Sequence, residues 1–448
     1  MPRASIVKVL LVALFVLGTR SSSAQEKALT LRLAGDEWFL NSLTRSQALA
    51  TFEKQSGIPV EVVEESDHKI MAELDRTGKP DDDLLDVIVI RHRLLGKLVQ
   101  KGQVVPIDAF LRDRKLTQTD FTPQRLFPNW WRELSSYEKH TYGFPFTCLT
   151  TFLCYRKDLL EDPLNQSTFR ARYHRELKPP TTWPEYTRLA EFFTRPDDHF
   201  YGTYIQGRQS LALWYEWLNL MYSFGGNILD TRHGWEYGDI VVNSPENVAA
   251  TKQYVSQIAF SPPDTLTYGW DHAQSALQQG RVFMGLLWID QAPFLEDPKV
   301  SKVAGKIGYS FIPSNTGEPF SQLEGLTYLI PKESKHAREA YRFLEWVMSE
   351  PVQVQQTLQG GSSALRSTYA NTEVKALPYT SAFLASIPVG ISKPTVPESD
   401  EMTQAAVRHL ADIVSGSISA REGLDQLALD LQRILGGKAK LRYPVKTQ

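Results

Sequence analysis

The sequence has few cysteines and no excess of charge of either sign. Its 448 residues include two cysteines, and 49 basic against 51 acidic side chains leave a formal net charge of -2. So low a cysteine content excludes a small disulfide-rich scaffold. The near balance of charge argues against nucleic acid as a partner, because binding phosphates usually needs a basic patch or a basic excess.

Long hydrophobic runs and the common catalytic motifs are also missing. No run after the N-terminal segment reaches the ~20 apolar residues that a membrane span needs. No G-x-S-x-G, H-E-x-x-H, P-loop or G-x-G-x-x-G pattern occurs, and the nine histidines show no metal-ligand spacing. The sequence therefore predicts neither a metal nor a cofactor.

The N-terminal segment has the pattern of a secretory signal peptide. Arg3 and Lys8 accompany an apolar run that ends near Gly18, and small residues follow up to Ala24. We expect residues 1–24 to be removed, with cleavage near Ala24. Because neither cysteine directly follows this segment, no lipid anchor is expected, and the mature protein is predicted to be free in the bacterial periplasm.

The two cysteines lie in "CLTTFLC", which has the pattern of an extended strand. Six residues of strand separate Cys148 and Cys154 by roughly 20 Å, whereas a disulfide needs Cα atoms about 4.4 to 6.8 Å apart. The spacing disfavours a disulfide, although a bend between the two residues would allow one.

The remaining chain is composed like a globular protein, with 42% hydrophobic and 22% charged residues. Its length exceeds what one core usually organises, so two lobes are expected. Strand patterns ("LTLRLAG", "IPVEVVEE", "LLDVIVI") alternate with helical ones ("SLTRSQALATFEKQSG", "LLGKLVQKG"), which predicts an α/β architecture. Helix starts are predicted at Thr182, Ser244, Asp271 and Ser419 from their capping patterns.

Three predicted strands end in residues suited to binding a sugar. The first is followed by Asp36, Glu37 and Trp38, the "DVIVI" strand by a basic cluster that begins at Arg91, and the strand after Gly280 by Trp288 and Asp290. Ligands of open α/β sheets bind beyond the carboxyl ends of strands. An indole packs on the apolar face of a sugar, and charged groups make strong hydrogen bonds to its hydroxyls.

Other interpretations of these residues remain open. Trp288 alone is more typical of a core residue, and Asp36 and Asp290 are equally suited to capping helices. In "LWYEWLNLMYSF", core is preferred for Trp217 and Met221, whereas Trp214 and Tyr215 fit core and ligand contact equally well. Asp290 and Glu324 are also candidates for the carboxylate pair of a glycoside hydrolase.

The chain resembles the family 1 extracellular solute-binding proteins of ABC transporters, the group that includes maltose-binding protein. The resemblance runs from about Leu29 to Leu435 and rests on a series of segments in the order of the family, including "FEKQSGIPVEV", "LVQKGQVVPID", "LCYRKDLLED", "PPTTWPEY", "MYSFGGNILD", "QQGRVFMGLLW" and "GLTYLIPKESKHAREAYRFLEWV". It implies a two-lobed fold with a hinge and a ligand cleft. The expected lobes are residues 25–145 with 308–365, and 146–307 with 366–448.

The resemblance also implies a set of ligand-binding positions. Matching segments place them after the first strands, at the crossing in "YGFPF", before "MYSFGG", after "GRVFMG", before "LTYLIP" and in "SSALRS". The candidate residues are Asp36, Glu37, Trp38, Asp67, Arg91, Phe146, Trp214, Tyr215, Trp288, Asp290, Glu324, Gly325 and Arg366.

One departure from the maltose-binding pattern affects the expected ligand. After the "DVIVI" strand those members carry an aromatic residue and an acid, whereas this chain has Arg91, His92 and Arg93. We expect a neutral di- or oligosaccharide, with an anionic carbohydrate as the alternative.

The resemblance implies a monomeric, non-enzymatic binding protein that delivers a carbohydrate to the permease subunits of an ABC importer. A secreted carbohydrate-active enzyme and a module that presents ligand to a membrane sensor are the alternatives. The acids and aromatics at the strand ends motivate both the binding and the enzyme interpretation.

Overall fold

The computed structural model describes residues 29–76, 78, 80–116 and 122–445. The expected signal peptide and its cleavage near Ala24 lie outside the described residues. The strands are β1 (Leu31–Gly35), β2 (Val60–Glu64), β3 (Val87–Arg91), β4 (Ser136–Tyr137), β5 (His140–Thr141), β6 (Gly143–Leu149), β7 (Thr151–Arg156), β8 (Met284–Trp288), β9 (Ile307–Ser310), β10 (Ser321–Leu329) and β11 (Gly390–Ser392).

The α-helices surround these strands and include two long C-terminal helices that pack on each other. They are α1 (Glu37–Thr44), α2 (Ala48–Ser56), α3 (Asp67–Asp75), α4 (Leu95–Gln100), α5 (Asp108–Arg112), α6 (Pro128–Ser135), α7 (Lys157–Glu161), α8 (Pro163–Tyr173), α9 (Trp183–Phe193), α10 (Leu211–Ser223), α11 (Pro245–Ser256), α12 (Trp270–Gln278), α13 (Ala292–Glu296), α14 (Ala337–Val347), α15 (Glu350–Leu358), α16 (Thr372–Lys375), α17 (Thr380–Ser386), α18 (Ser399–Val414) and α19 (Ala420–Leu435). Within the described residues, none of them is both long and apolar enough to cross a membrane.

Two sheets organise the chain. The large sheet has the order β11-β10-β3-β1-β2, with β6 also paired to β10, and the small sheet has the order β8-β7-β9. Strand β1 is parallel to β2 and β3, whereas β10 runs antiparallel to β3 and β6. The continuous apolar run in β3 is explained by its central place, because a strand covered on both faces has no polar face.

The chain passes between the sheets at several points. Strands β6 and β7 belong to different sheets and are separated only by Thr150. The chain returns to the large sheet between β9 and β10, and after β11 it continues into α18, which packs on α10 and α19. Strand β10 pairs with both β6 and β11. The large sheet therefore extends beyond residues 25–145 and 308–365, the limits expected for the first lobe. The division into lobes at these limits remains a prediction.

The local predictions have mixed outcomes. The capping box of Thr182 and Glu185 and the caps at Ser244 and Ser419 are confirmed. The cap predicted at Asp271 is wrong, because α12 begins one residue earlier with Gly269 as its cap. The single helix predicted before Gly57 is divided into α1 and α2 at Gln47, whose φ of 58° interrupts the helix.

The two cysteines are free, as the spacing favoured, but the single strand predicted through "CLTTFLC" is divided at Thr150 into β6 and β7. Cys148 lies in β6 and Cys154 in β7, both thiols are free, and both side chains are fully buried. Burial raises the pKa of each thiol well above its ordinary value, so neither is a reactive thiolate at neutral pH.

Candidate functional site

A cavity lies where the ends of β1 and β3 in the large sheet face the end of β8 in the small sheet. Its volume is about 320 Å³, and we call it the aromatic chamber. The residues that line it are Asp36, Trp38, Phe39, Arg91, Leu149, Tyr215, Trp270, Asp271, Gln274, Trp288, Asp290, Gln291 and Glu324. The position agrees with the rule that ligands bind beyond the carboxyl ends of strands.

The turn after β1 brings Asp36 to the chamber. Its side chain accepts a hydrogen bond from the backbone N–H of Trp38 at 3.0 Å and so caps α1. A carboxylate at this position also interacts favourably with the helix dipole. The two interpretations of Asp36 are therefore compatible: it caps a helix and lines the cavity.

Arg91 is the only member of the basic cluster at residues 91–93 that lines the chamber. Its guanidinium lies 2.7 Å from the buried carboxylate of Asp67 and 5.3 Å from the ring centroid of Phe39. Burial lowers the pKa of Arg91, but Asp67 outweighs this effect and the pKa lies above its ordinary value. His92 and Arg93 are buried, so the expected basic rim does not form.

Glu324 of β10 is the second charged group that the large sheet presents to the chamber. Two buried side chains, Lys393 and His92, contact its carboxylate. Lys393 Nζ contacts its Oε2, and His92 Nδ1 lies 2.7 Å from its Oε1. Burial lowers the pKa of His92 well below its ordinary value, so the ring is neutral. Burial also lowers the pKa of Lys393, aided by the charges of Arg93 and Arg91, and Glu324 is the group that compensates its charge.

The side of the cavity formed by the small sheet and its helices contributes an aromatic wall made of Tyr215, Trp270 and Trp288. Tyr215 comes from α10, Trp270 begins α12 and Trp288 ends β8. The ring of Tyr215 meets Trp288 edge to face at 5.6 Å and 83°, and lies 6.2 Å from Trp270. The indole nitrogen of Trp270 has no hydrogen-bond partner among the described residues. This wall offers apolar ring surface together with a free donor.

Gln291 fixes the aromatic wall. Its side-chain nitrogen donates to the carbonyl of Trp270 at 3.1 Å and to the side chain of Gln274 at 3.3 Å. Its side-chain oxygen accepts from the backbone N–H of Trp288 at 3.4 Å. One buried amide thus links the start of α12 to the end of β8.

A hydrogen bond between Trp38 and Asp290 joins the two sides of the cleft. The indole nitrogen of Trp38 donates to Oδ2 of Asp290 at 2.9 Å, and its ring stacks on Phe294 at 5.2 Å and 22°. Burial raises the pKa of Asp290, although the bond from Trp38 opposes the shift. Asp290 forms no side-chain cap for α13, so the capping interpretation is wrong.

The chamber thus collects seven of the predicted site residues: Asp36, Trp38, Arg91, Tyr215, Trp288, Asp290 and Glu324. Asp67 and Gly325 lie directly behind them. Asp67 pairs with Arg91, and the carbonyl of Gly325 lies 3.3 Å from His92 Nδ1.

Four predicted residues do not reach the chamber. Glu37 is exposed in the first turn of α1, and Trp214 is buried and stacks on Trp217. Arg366 is exposed and bonds to carbonyls of Gln124 and Arg125, so its role as a ligand contact is not supported. Phe146 lines a neighbouring cavity of about 420 Å³, which we call the polar chamber.

Several residues of the site were missed by the sequence analysis, namely Phe39, Leu149, Trp270, Asp271, Gln274, Gln291 and, behind the lining, Lys393. Trp270 could have been found from the sequence, because it directly precedes Asp271, where a helix start was predicted. Lys393 gave no signal, since it lies in an irregular segment. Among the described residues no group of side chains is arranged to hold a metal.

Comparison with known proteins identifies the family. Residues 47–380 match the model of the bacterial extracellular solute-binding proteins. The chain belongs to this family, whose members bind substrates. A probable amino-acid ABC transporter periplasmic-binding protein of Sinorhizobium fredii is 25% identical over 236 residues, which are 52% of this chain and 51% of that protein. The chain thus spans about half the length of this curated relative.

Solved structures share the fold. A solute-binding protein of an ABC transporter from Agrobacterium radiobacter K84, in complex with ribitol, has a TM-score of 0.77 at 23% identity and covers 91% of this chain and 98% of that one. A maltose-bound protein of T. maritima has a TM-score of 0.77 at 20% identity, and the match covers 91% of this chain and 100% of that one. The predicted two-lobed α/β fold is confirmed.

Proposed function

We propose that this family member is the substrate-binding component of an ABC importer and that it captures a small carbohydrate or polyol in the aromatic chamber. The observation that carries the proposal is the pairing of the aromatic wall with the carboxylates of Asp36, Asp290 and Glu324 around one cavity. A volume of about 320 Å³ lies at the lower end of small-molecule sites, which span roughly 300 to 1,000 Å³.

The lining suits a ligand that has both apolar faces and hydroxyl groups. The rings of Trp270 and Trp288 offer surface for C–H faces, as sugar recognition requires. Asp290 Oδ1 and Trp270 Nε1 have no partner among the described residues. A buried polar atom without a partner is costly, and hydroxyls satisfy a carboxylate oxygen and an indole N–H equally well.

The charge of the lining favours a neutral ligand over an acidic one. Arg91 faces the chamber, but its charge is already balanced by Asp67 at 2.7 Å. Four further carboxylates, those of Asp36, Asp271, Asp290 and Glu324, line the same space. An anion would meet repulsion from them, so the acidic sugar becomes the less favoured alternative.

The rest of the proposal follows from the family and from the N-terminal sequence. Residues 1–24 act as a signal peptide, the mature monomer works in the periplasm without a lipid anchor, and its ligand-bound form docks on the permease subunits. Binding without catalysis is favoured by the family, which is one of solute-binding proteins. A sensor role would use the same ligand-bound form.

An amino acid is the second candidate ligand. The Sinorhizobium relative is named for an amino-acid transporter, and the chamber holds both a guanidinium and free carboxylate oxygen for a zwitterion. An amino acid is the less favoured ligand for two reasons. Arg91 is already paired with Asp67, and the three aromatic rings of the chamber suit the C–H faces of a sugar.

Thermal unfolding with panels of neutral sugars, polyols, sugar acids and amino acids tests the proposal. A ligand at 100 times its Kd stabilises the folded protein by about 2.7 kcal/mol. We expect shifts with neutral sugars or polyols and no products after prolonged incubation. A shift with amino acids alone would replace the carbohydrate by the second candidate, and turnover would establish the enzyme alternative.

A further inference from the structure

The cleft contains two cavities that meet at the bond between Trp38 and Asp290. The aromatic chamber measures about 320 Å³ and the polar chamber about 420 Å³. Trp38, Phe39 and Asp290 line both of them. The bond of 2.9 Å between the indole nitrogen and the carboxylate therefore lies on the boundary between the two spaces.

The two chambers differ in chemistry. The aromatic chamber presents the rings of the aromatic wall, whereas the polar chamber adds Asn41, Arg45, Asp297 and Gln359 to the aromatic residues Phe146 and Phe294. Backbone at Gly360, whose φ is +94°, borders the same space. Such a lining offers hydrogen-bond donors and acceptors beside aromatic ring surface, which fits a second sugar unit with both hydroxyl groups and C–H faces.

Trp38 is placed so that it can leave the boundary without disturbing the core. It lies in the first turn of α1, and 46% of its surface is exposed. Its contacts across the cleft are one hydrogen bond and one stacked ring, that of Phe294. Both break at a cost that a larger ligand can offset with new contacts.

Asp290 offers a ligand a hydrogen-bond acceptor at the boundary between the two chambers. Its Oδ2 accepts from Trp38, while Oδ1 has no partner among the described residues. A hydroxyl that donates to Oδ1 from the aromatic chamber leaves the bond to Trp38 intact. A ligand that continues past Asp290 must displace the indole.

We propose that Trp38 and Asp290 form a partition that sets the length of the ligand. Ligands of one sugar unit fill the aromatic chamber with the partition in place. Longer ligands displace Trp38 and place their next unit in the polar chamber, which is a second subsite. The proposal rests on the proposed carbohydrate function and adds the residue that determines chain length.

Calorimetric titration with pairs of sugars that differ by one unit tests the partition. The probes are glucose with maltose, xylose with xylobiose, and galactose with lactose. We expect Trp38→Ala to raise the affinity for the longer member relative to the shorter one by about tenfold in any pair that binds, the scale of losing one hydrogen bond and one ring contact. Trp38→Phe keeps the stack and loses only the N–H, so a smaller change is expected.

Two further variants make the test specific. Trp346→Phe is the matched control, because it removes an indole that donates to Gln55 at 2.8 Å outside both chambers. This variant should leave the ratio of the affinities for the longer and the shorter sugar unchanged in every pair. Adding Asn41→Tyr to Trp38→Ala fills the polar chamber and should cancel the gain for the longer sugar.

The outcomes separate the partition from the function on which it rests. If sugars bind but Trp38→Ala changes their ratio no more than Trp346→Phe does, the partition is wrong and the carbohydrate function stands. A gain that survives Asn41→Tyr also overturns the second subsite. If no sugar binds to any variant, the carbohydrate function is wrong and the partition is wrong with it.

Discussion

The two sides of the aromatic chamber are built in different ways. The large sheet presents charged groups, Arg91 and Glu324, each of which is compensated by a partner behind it, Asp67 and Lys393. The side of the small sheet presents the aromatic wall, in which Tyr215 contacts both tryptophans and Gln291 bonds to the backbones of Trp270 and Trp288. One side depends on ion pairs and the other on packing.

Two buried carboxylates sharpen the difference. Glu324 on the large-sheet side contacts a lysine. Glu216, next to Tyr215 in α10, instead accepts from neutral groups: the hydroxyl of Tyr254 at 2.6 Å and the backbone and side-chain nitrogens of Gln206. Among the described residues, a cation thus compensates the first carboxylate and neutral donors solvate the second.

The largest effect is expected from breaking the charged side. Glu324→Ala leaves Lys393 buried beside Arg91 and Arg93 without a carboxylate, and removing one partner of a buried pair costs about 3 to 5 kcal/mol. We expect the free energy of unfolding in urea to fall by this amount. The double variant Glu324→Leu with Lys393→Met should recover most of it, and a loss that persists in the double variant would contradict the ion-pair explanation.

The second effect concerns the aromatic wall and the affinity for ligand. Trp288→Ala removes ring surface from the chamber, and we expect the Kd of the bound sugar to rise by about tenfold to hundredfold, or ~1.4 to 2.7 kcal/mol. Trp217→Ala is the control, because Trp217 is fully buried and bonds to Thr251 rather than lining the chamber. Both variants should lose stability, but only the first should lose affinity; equal affinities would make Trp288 a core residue.

The third effect is a pH dependence that Glu216 imposes on stability. Burial raises its pKa from 4.5 to about 7, against the hydrogen bonds from Tyr254 and Gln206. Between these two values the folded state binds more protons than the unfolded state, so this contribution to stability is lost as the pH rises from 4.5 to 7, by up to about 1.4 kcal/mol per pH unit.

Glu216→Gln should remove that pH dependence. Urea unfolding of both proteins at intervals between pH 4.5 and 8 measures it, and the stability of the variant relative to the wild type should increase with pH until about pH 7. A constant difference across this range would show that Glu216 does not titrate there.

The smallest effect is expected on ligand charge. Asp67→Asn removes the carboxylate 2.7 Å from Arg91 and leaves a free guanidinium at the chamber, so glucuronate should gain about threefold to tenfold in affinity relative to glucose. Asp400→Asn is the control, because its partner Arg93 does not line the chamber. Equal changes in both variants would show that the gain is not specific to Arg91.

The local structure and the position of Trp288 could be predicted from the sequence, whereas Trp270 of the same aromatic wall was missed. Strands β1, β2 and β3, the stop at Gly57 and the caps at Thr182, Ser244 and Ser419 are local features, since hydrophobic period and cap chemistry act within a few residues. The prediction for Trp288 rested on the direction of its strand and on the position after "GRVFMG" that the family resemblance implies.

The charged side could not be predicted in the same way. Arg91, His92 and Arg93 form one basic cluster in the sequence. In the fold, Asp67 lies close to both arginines, Glu324 bonds to His92 and Asp400 pairs with Arg93. Those partners come from distant parts of the chain, and only tertiary structure brings them together. Lys393 lies 69 residues from Glu324, in a segment without regular pattern, so neither period nor motif pointed to it.

The buried thiols have a practical consequence for spectroscopy. Cys148 and Cys154 are the only cysteines of the chain, and both are fully buried with raised pKa values. Maleimide reagents attack exposed thiolates, so a cysteine introduced at Glu37, and another at the exposed Lys299, would take up fluorophores selectively in the folded wild-type background. Energy transfer between such dyes would follow the distance across the cleft as ligand is added.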